Sequence, residues 1–170
     1  MTPTHSEPTQ GGAPAILLAM LLAACIALLA LLLSALMSVA ARADDRLLDI
    51  ARTVWAESRG ESPAGQIGVA YVVLNRAEQR GLPVSVIVRQ RHQFTVWSGA
   101  ARQRRLMALT DRVPGFIEAK AAAAIALARG TPDPTKGSTH FTSIHIRPPV
   151  WTRGMVPLRL GRHVFYRRTK

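Results

Sequence analysis

The chain is 170 residues long and carries 22 Lys and Arg against 10 Asp and Glu, a formal net charge of +12 at pH 7. That length suits one modest domain, and the positive excess implies a polyanionic partner or surface: nucleic acid, the anionic polymers of a bacterial wall, or an anionic membrane face. No helix-turn-helix, zinc-finger or RNP pattern accompanies the charge, so no nucleic-acid partner is expected, and a single cysteine, Cys25, excludes a disulfide framework.

Residues 1–14 are rich in Pro, Thr and Gly and read as a disordered tip. Residues 15–41 are almost unbroken Ala, Leu, Ile, Met and Val, longer than the roughly 20 apolar residues that cross a bilayer. This predicts membrane contact through 15–41. Ala41-Arg42-Ala43, followed by Asp44-Asp45, also offers the small residues that a signal peptidase reads. A cleaved signal peptide, an uncleaved anchor and a signal-arrest leader all fit segment 15–43. Arg42 and Arg46 put positive charge on its downstream side, which the positive-inside rule assigns to the cytoplasm. Residues 44–170 hold 21 of the 22 basic and 9 of the 10 acidic residues and form the folded domain.

Within that domain, Leu47, Leu48, Ile50, Ala51, Val54 and Trp55 recur at helical spacing, which predicts a helix from Asp45 to Arg59 with one apolar face and Gly60 as its stop. Glu57 falls at the seam between interior and cleft. Desolvation against Trp55 would raise its pKa and keep it protonated as a general acid. The plainer alternative leaves Glu57 and Glu61 solvated around a helix end beside Arg59. Ser62-Pro63 caps and opens a second helix, with a body from Gly65 to Gln79. Asn75 and Arg76 interrupt its apolar pattern, and Asn75 is expected to satisfy loop backbone.

Gly81-Leu82-Pro83 is a turn, and Ser85 is a cap for a short helix through Val86, Ile87 and Val88. Residues 89–106 read as irregular and basic. Phe94 and Trp97, among arginines and beside Gln93, suit the apolar face of a sugar ring or single-stranded nucleic acid, or else they pin the loop to the core. Val113-Pro114 opens a third long helix through Arg129, with Gly130 as its stop. Two β-prone pieces follow, Thr139–Ile146 and Arg162–Arg168, with Arg167, Arg168 and Lys170 as a solvated tail.

Taken in order, Glu57-Ser58-Arg59-Gly60-Glu61, Asn75-Arg76, Gln93-Phe94, Asp133-Pro134-Thr135, Thr139-His140-Phe141 and Gly161-Arg162-His163-Val164-Phe165-Tyr166-Arg167 resemble the SleB-type cell wall hydrolase domain of spore cortex-lytic enzymes. The likeness covers residues 47–167. It implies a mainly helical α+β, lysozyme-like catalytic domain with a small C-terminal β region, behind one N-terminal transmembrane or signal helix. It implies cleavage of peptidoglycan glycan strands without a cofactor, by one glutamate that protonates the leaving oxygen and then takes the proton of the sugar's C6 hydroxyl. Glu57 is the matching position.

Glu61, Gln93, Thr139, His140 and Tyr166 would contact the glycan, with Phe94 and Trp97 as stacking surface. Thr95 and Val96 depart from the family's pattern beside Gln93-Phe94. The resemblance places the domain at the periplasmic or wall face, anchored or secreted, as a phage lysis enzyme or a wall-remodelling enzyme. Two other readings stay open. A zinc site from His140, His145, His163 and Glu57 has acceptable ligand types, although the spacing of His140 and His145 suits neither a helix face nor one side of a strand and no HExxH is present. A non-catalytic, membrane-anchored basic module would bind nucleic acid or anionic lipid.

Overall fold

The computed structural model describes residues 13–91 and 93–169. The expected disordered tip lies outside the described residues apart from Ala13 and Pro14, which begin the first helix, and so do His92 and Lys170. The chain divides into two compact units, Met1–Arg42 and Ala43–Lys170. Helix α1, Ala13–Glu57, contains the whole apolar run and continues into the second unit. In the first unit its Leu, Ile and Met side chains from Ile16 to Val39 are all more than half exposed.

In the second unit α1 is buried all round over 49–54, more than the expected single apolar face. Its polar side chains go under cover because each finds a partner. Asp49 accepts two hydrogen bonds from Arg89, at 2.7 and 2.9 Å, and Thr53 Oγ1 donates to the Asp49 carbonyl while accepting from Trp97 Nε1 at 2.8 Å. Arg52 Nε donates to the Leu106 carbonyl. A buried polar seam with every member paired is tolerated at little net loss; removing one member strands the others.

Helix α2, Pro63–Arg80, is the centre of the domain, with Val69 through Leu74 buried without a break. Ser62 accepts from Gly65 N as its N-cap, and Gly81, left-handed at φ +61°, closes it, as the sequence implied. Helix α3, Val84–Arg89, starts after Pro83 with no side-chain cap; Ser85 lies inside it and caps nothing.

The stretch expected to be irregular holds a 3-10 turn, Thr95–Trp97, and helix α4, Ala100–Met107. Helix α4 is built from strong helix formers and buries only Leu106, so no apolar stripe announced it. Helix α5 is Phe116–Ala128, shorter than expected at both ends. Gly115 at φ +80° prevents an earlier start, and Arg129 at φ +48°, not Gly130, ends it.

The C-terminal sheet has three antiparallel strands in the order β1 (His140–Ser143), β3 (His163–Arg168), β2 (Met155–Leu160). Strand β2 was not expected because Pro157 interrupts it. On an edge strand a proline is tolerated, since its missing N–H faces no partner. Arg167 and Arg168 pair with Val156 and Met155 and belong to the sheet, not to a tail.

The sheet meets α2 through Phe165, which is fully buried. A Cβ added to Gly68 would lie 2.6 Å from Phe165 Cζ and 3.1 Å from both Cε atoms. Gly68→Ala is therefore expected to destabilise the domain by about 1–3 kcal/mol through overpacking, with partial recovery in the double variant with Phe165→Leu. Thermal unfolding of the two variants checks it; an unchanged midpoint in Gly68→Ala would remove this contact as a determinant of the packing.

Candidate functional site

Helix α1 ends one residue before Ser58, whose N–H and Oγ both turn back to the Val54 carbonyl, at 2.9 and 2.6 Å. Gly60, left-handed at φ +75°, then turns the chain toward α2. Glu57 is therefore the last helical residue, fixed in direction by the helix and half-buried at its end. Among the described residues its carboxyl group forms no hydrogen bond and no ion pair. Burial raises its pKa, and the positive charge of Arg76 pulls in the opposite direction without reversing the shift.

Trp55, expected to supply that burial, does not. Two residues apart on a helix means about 200° of rotation, so the two side chains leave on nearly opposite faces. Trp55 Nε1 donates to the Pro114 carbonyl at 3.0 Å, and Arg59 lies over its ring.

Arg76, on α2, is 7% exposed, and its charge acts on both Glu57 and His140. Its Nε donates to the Thr139 carbonyl at 2.6 Å and its guanidinium carbon lies 4.8 Å from the centre of the Phe94 ring. Nη1 is buried with no partner among the described residues. Burial pushes Arg76 down to about 10, helped by Arg80 and opposed by Glu57, so it keeps its charge at neutral pH. In the sequence Arg76 stood out as a polar interruption of an apolar helix and as half of the Asn75-Arg76 motif, with no role assigned to it.

Thr139, His140 and Tyr166 do come together. Strand pairing sets His140 opposite Tyr166, Thr139 N donates to the Tyr166 carbonyl, and Thr139 Oγ1 is 2.9 Å from His140 Nδ1. The pKa of His140 is lowered, by burial first and then by Arg76, Arg168 and Arg80, so the ring is held neutral. Against His140 and Tyr166 packs Trp151, which the sequence reading did not single out.

Phe94 and Trp97 are each 2% exposed and belong to the hydrophobic core, which corrects their expected role as a stacking surface. Their rings are covered by guanidinium groups, Arg76 on Phe94 and Arg89 on Trp97. One of them, Arg89, belongs to the stretch that read as an open basic loop; the other comes from α2. Gln93, half-buried beside Phe94, has no side-chain hydrogen bond among the described residues.

Glu61 is also a structural anchor. Its carboxylate accepts from Arg162 N at 2.9 Å and Arg162 Nε at 3.2 Å, while Arg162 Nη2 donates to the Gly60 carbonyl. The approach is so close that a Cβ on Gly161 would sit 2.6 Å from Glu61 Oε2. Asn75, as expected, holds a loop: its Nδ2 lies within hydrogen-bond distance of Asp133 Oδ2, Thr135 Oγ1 and the Ser138 carbonyl.

The zinc alternative loses its geometry. His163 is buried edge-on between Phe141 and Phe165 while His140 faces Trp151, and no three His, Cys, Asp or Glu side chains gather to hold a metal among the described residues. A hollow of about 330 Å³ opens on the α2–α5 face, lined by Glu61, Gln66, Ile67, Glu118, Ala122 and Ile125 among others, and Glu57 is not part of it. Its two carboxylates are poor candidates for acid catalysis, one being tied to Arg162 and the other exposed.

Two solved structures share this fold. The catalytic domain of the Bacillus cereus SleB protein is 26% identical with a TM-score of 0.58, the match covering 73% of this chain and 91% of that one. The catalytic domain of the germination-specific lytic transglycosylase SleB from Bacillus anthracis is 26% identical with a TM-score of 0.56, covering 72% and 93%. No curated protein matches. The family model described as Cell Wall Hydrolase matches residues 60–166, starting three residues after Glu57. From the sheet that carries Thr139, His140 and Tyr166 back to the turn at Gly60, this chain belongs to the Cell Wall Hydrolase family.

Proposed function

We propose that the domain cleaves peptidoglycan glycan strands as a lytic transglycosylase, with Glu57 as its only acid and base. The observation that carries this is a half-buried carboxyl group at a helix end, raised in pKa by burial and left without a hydrogen-bond partner among the described residues. A group in that state can hold a proton near neutral pH and deliver it to a glycosidic oxygen. As the C1–O4 bond breaks, the leaving oxygen takes the proton of Glu57. The carboxylate left behind then accepts the proton of the C6 hydroxyl, whose oxygen closes on C1 to give the 1,6-anhydro ring. The proton balance closes on one residue.

Two-carboxylate chemistry needs a second free acid placed across the bond. Glu61 and Asp133 are the nearby acids in sequence motifs, and both are committed. Arg162 holds the first, while Thr135 N, Thr135 Oγ1 and Gly137 N donate to the second. Arg76 supports the base half of the cycle, because its charge favours ionised Glu57 after the proton has left. Thr139, His140, Tyr166 and Gln93 are the groups that would orient the sugar. The lytic transglycosylase activity of the Bacillus anthracis relative supports the same reading.

The apolar part of α1 has a mean hydropathy of 3.1 over its best window, and residues 16–41 would span roughly 39 Å as helix, against a hydrocarbon core of about 30 Å. We infer that this segment holds the domain at the membrane, facing the wall.

Full-length protein in detergent micelles should release anhydro-muropeptides from purified sacculi, read by mass spectrometry. Glu57→Gln should lower the rate by at least about 100-fold, the usual contribution of a general acid. Products with ordinary reducing ends would show hydrolysis instead, and undiminished activity in Glu57→Gln would exclude Glu57. Activity should also fall as pH rises through the pKa of Glu57. Replacing Arg76 by Met removes the charge that lowers this pKa, so the alkaline limb of the pH–rate profile should move to higher pH; a shift to lower pH would contradict the coupling.

Stability carries an independent signature. A carboxyl whose folded pKa is raised favours the folded state below its unfolded pKa and loses that contribution as pH rises through the folded value. Glu57→Gln should therefore melt above the wild type at pH 7, with the difference closing as the pH is taken below the ordinary glutamate range. Equal midpoints at both pH values would mean that Glu57 is not desolvated.

A further inference from the structure

Burial of Phe94 and Trp97 leaves the domain without the aromatic surface expected of it, and an unanticipated side chain takes their place. Trp151 is 45% exposed, whereas Trp97 is 2% exposed and Trp55 is committed to Pro114. It sits on a 3-10 turn, Val150–Thr152, directly after Pro148-Pro149. Thr152 N and Thr152 Oγ1 both donate to the Pro149 carbonyl, at 3.0 and 2.7 Å, and Arg153 N donates to the Val150 carbonyl. Consecutive prolines and a closed turn fix the backbone, so the indole is presented by a stiff support.

The ring itself is also held. Its centre lies 5.2 Å from the His140 ring, tilted by 40°, and 5.6 Å from the Tyr166 ring, edge-on at 78°. Tyr166 is 5% exposed and His140 is half-buried, so both neighbours are themselves immobilised. Packed against two rings and still 45% exposed, Trp151 is a large, oriented apolar side chain open to water. A hydrogen-bonding group borders it: His140, with Thr139 Oγ1 on its Nδ1. Arg76 Nε donates to the Thr139 carbonyl beside this cluster, and its charge acts on both His140 and Glu57. An indole plane rimmed by donors and acceptors matches a pyranose, which has an apolar C–H face and a hydroxyl edge.

Building on the glycan-cleaving activity proposed above, we propose that Trp151 is the stacking platform that binds one N-acetylhexosamine ring of the strand, with His140 and Tyr166 fixing its plane. Trp151 binds and aligns; it transfers no proton. Its loss therefore acts on substrate affinity more than on the bond-breaking step. The aromatic plane is the requirement, so phenylalanine should replace it in part and alanine should not.

The test uses full-length protein in detergent micelles and two measurements. N-acetylglucosamine tetramer is titrated into the Glu57→Gln protein, so that the ligand is not consumed, while tryptophan emission is followed. The same titration is repeated with Trp151→Phe and Trp151→Ala added, using calorimetry where the reporter is lost. Digestion of purified sacculi is then compared for wild type, Trp151→Phe and Trp151→Ala, each checked for an unchanged thermal midpoint.

Saturable emission change in Glu57→Gln, at least about tenfold weaker binding in the Trp151→Ala variant (about 1.4 kcal/mol), intermediate binding in the Trp151→Phe variant, and a KM raised more than kcat is lowered are expected. Trp151→Ala that binds the tetramer as tightly and digests sacculi with an unchanged KM overturns the platform while leaving the catalytic proposal intact. A wild type that neither binds the tetramer nor digests sacculi overturns both.

Discussion

A carboxyl group taken partly out of water at the end of a helix, with a guanidinium in electrostatic reach but no hydrogen bond from the described residues to hold it charged, is the constraint around which the site is built. Placing an acid there is unfavourable unless something fixes the backbone that carries it. Here the Val54 carbonyl receives two bonds from Ser58, the helix behind is locked by the Asp49–Arg89 pair and by Thr53 on Trp97, and the turn ahead is clamped by Arg162 on Glu61 and on the Gly60 carbonyl. The flanking polar groups are satisfied so that Glu57 can stay unsatisfied.

The same division of labour runs through the charged residues. Of the acids in the folded unit, Asp49, Glu61, Glu78 and Asp111 pair with basic side chains, and Asp133 accepts hydrogen bonds from the loop it organises. Positive charge is consequently left over on the surface, where an anionic wall polymer or membrane face would meet it. The aromatic residues divide in a parallel way. Phe94, Trp97 and Phe165 hold helices and sheet together, while Trp151 remains at the surface.

Much of this was legible in the chain because the relevant signals are local. Ser62-Pro63 and Gly81 bracket α2 by capping rules, and the helical period placed Glu57 at a helix end whatever the tertiary packing. Thr139, His140 and Tyr166 were singled out as glycan contacts only through family resemblance; that they meet depends on strand register across 25 residues of intervening chain. What failed depended on long-range partners. Phe94 and Trp97 sit among arginines and read as exposed, and only the fold shows that Arg76 and Arg89 lie over their rings. Glu61 reads as a glycan contact or a solvated acid until Arg162, a hundred residues later, is seen to bond it. Strand β2 was hidden by Pro157 and helix α4 by its lack of an apolar stripe. Trp151 lacked any local pattern at all, since its meaning comes from the two rings beside it.

The protonation of the Glu57 side chain can be read directly. Carboxyl-carbon NMR of protein labelled at glutamate, with Glu57→Gln used to assign the resonance, should show Glu57 titrating above the ordinary glutamate range. A midpoint at or below that range would contradict the account, because such a group would already be ionised and could not protonate a glycosidic oxygen near neutral pH.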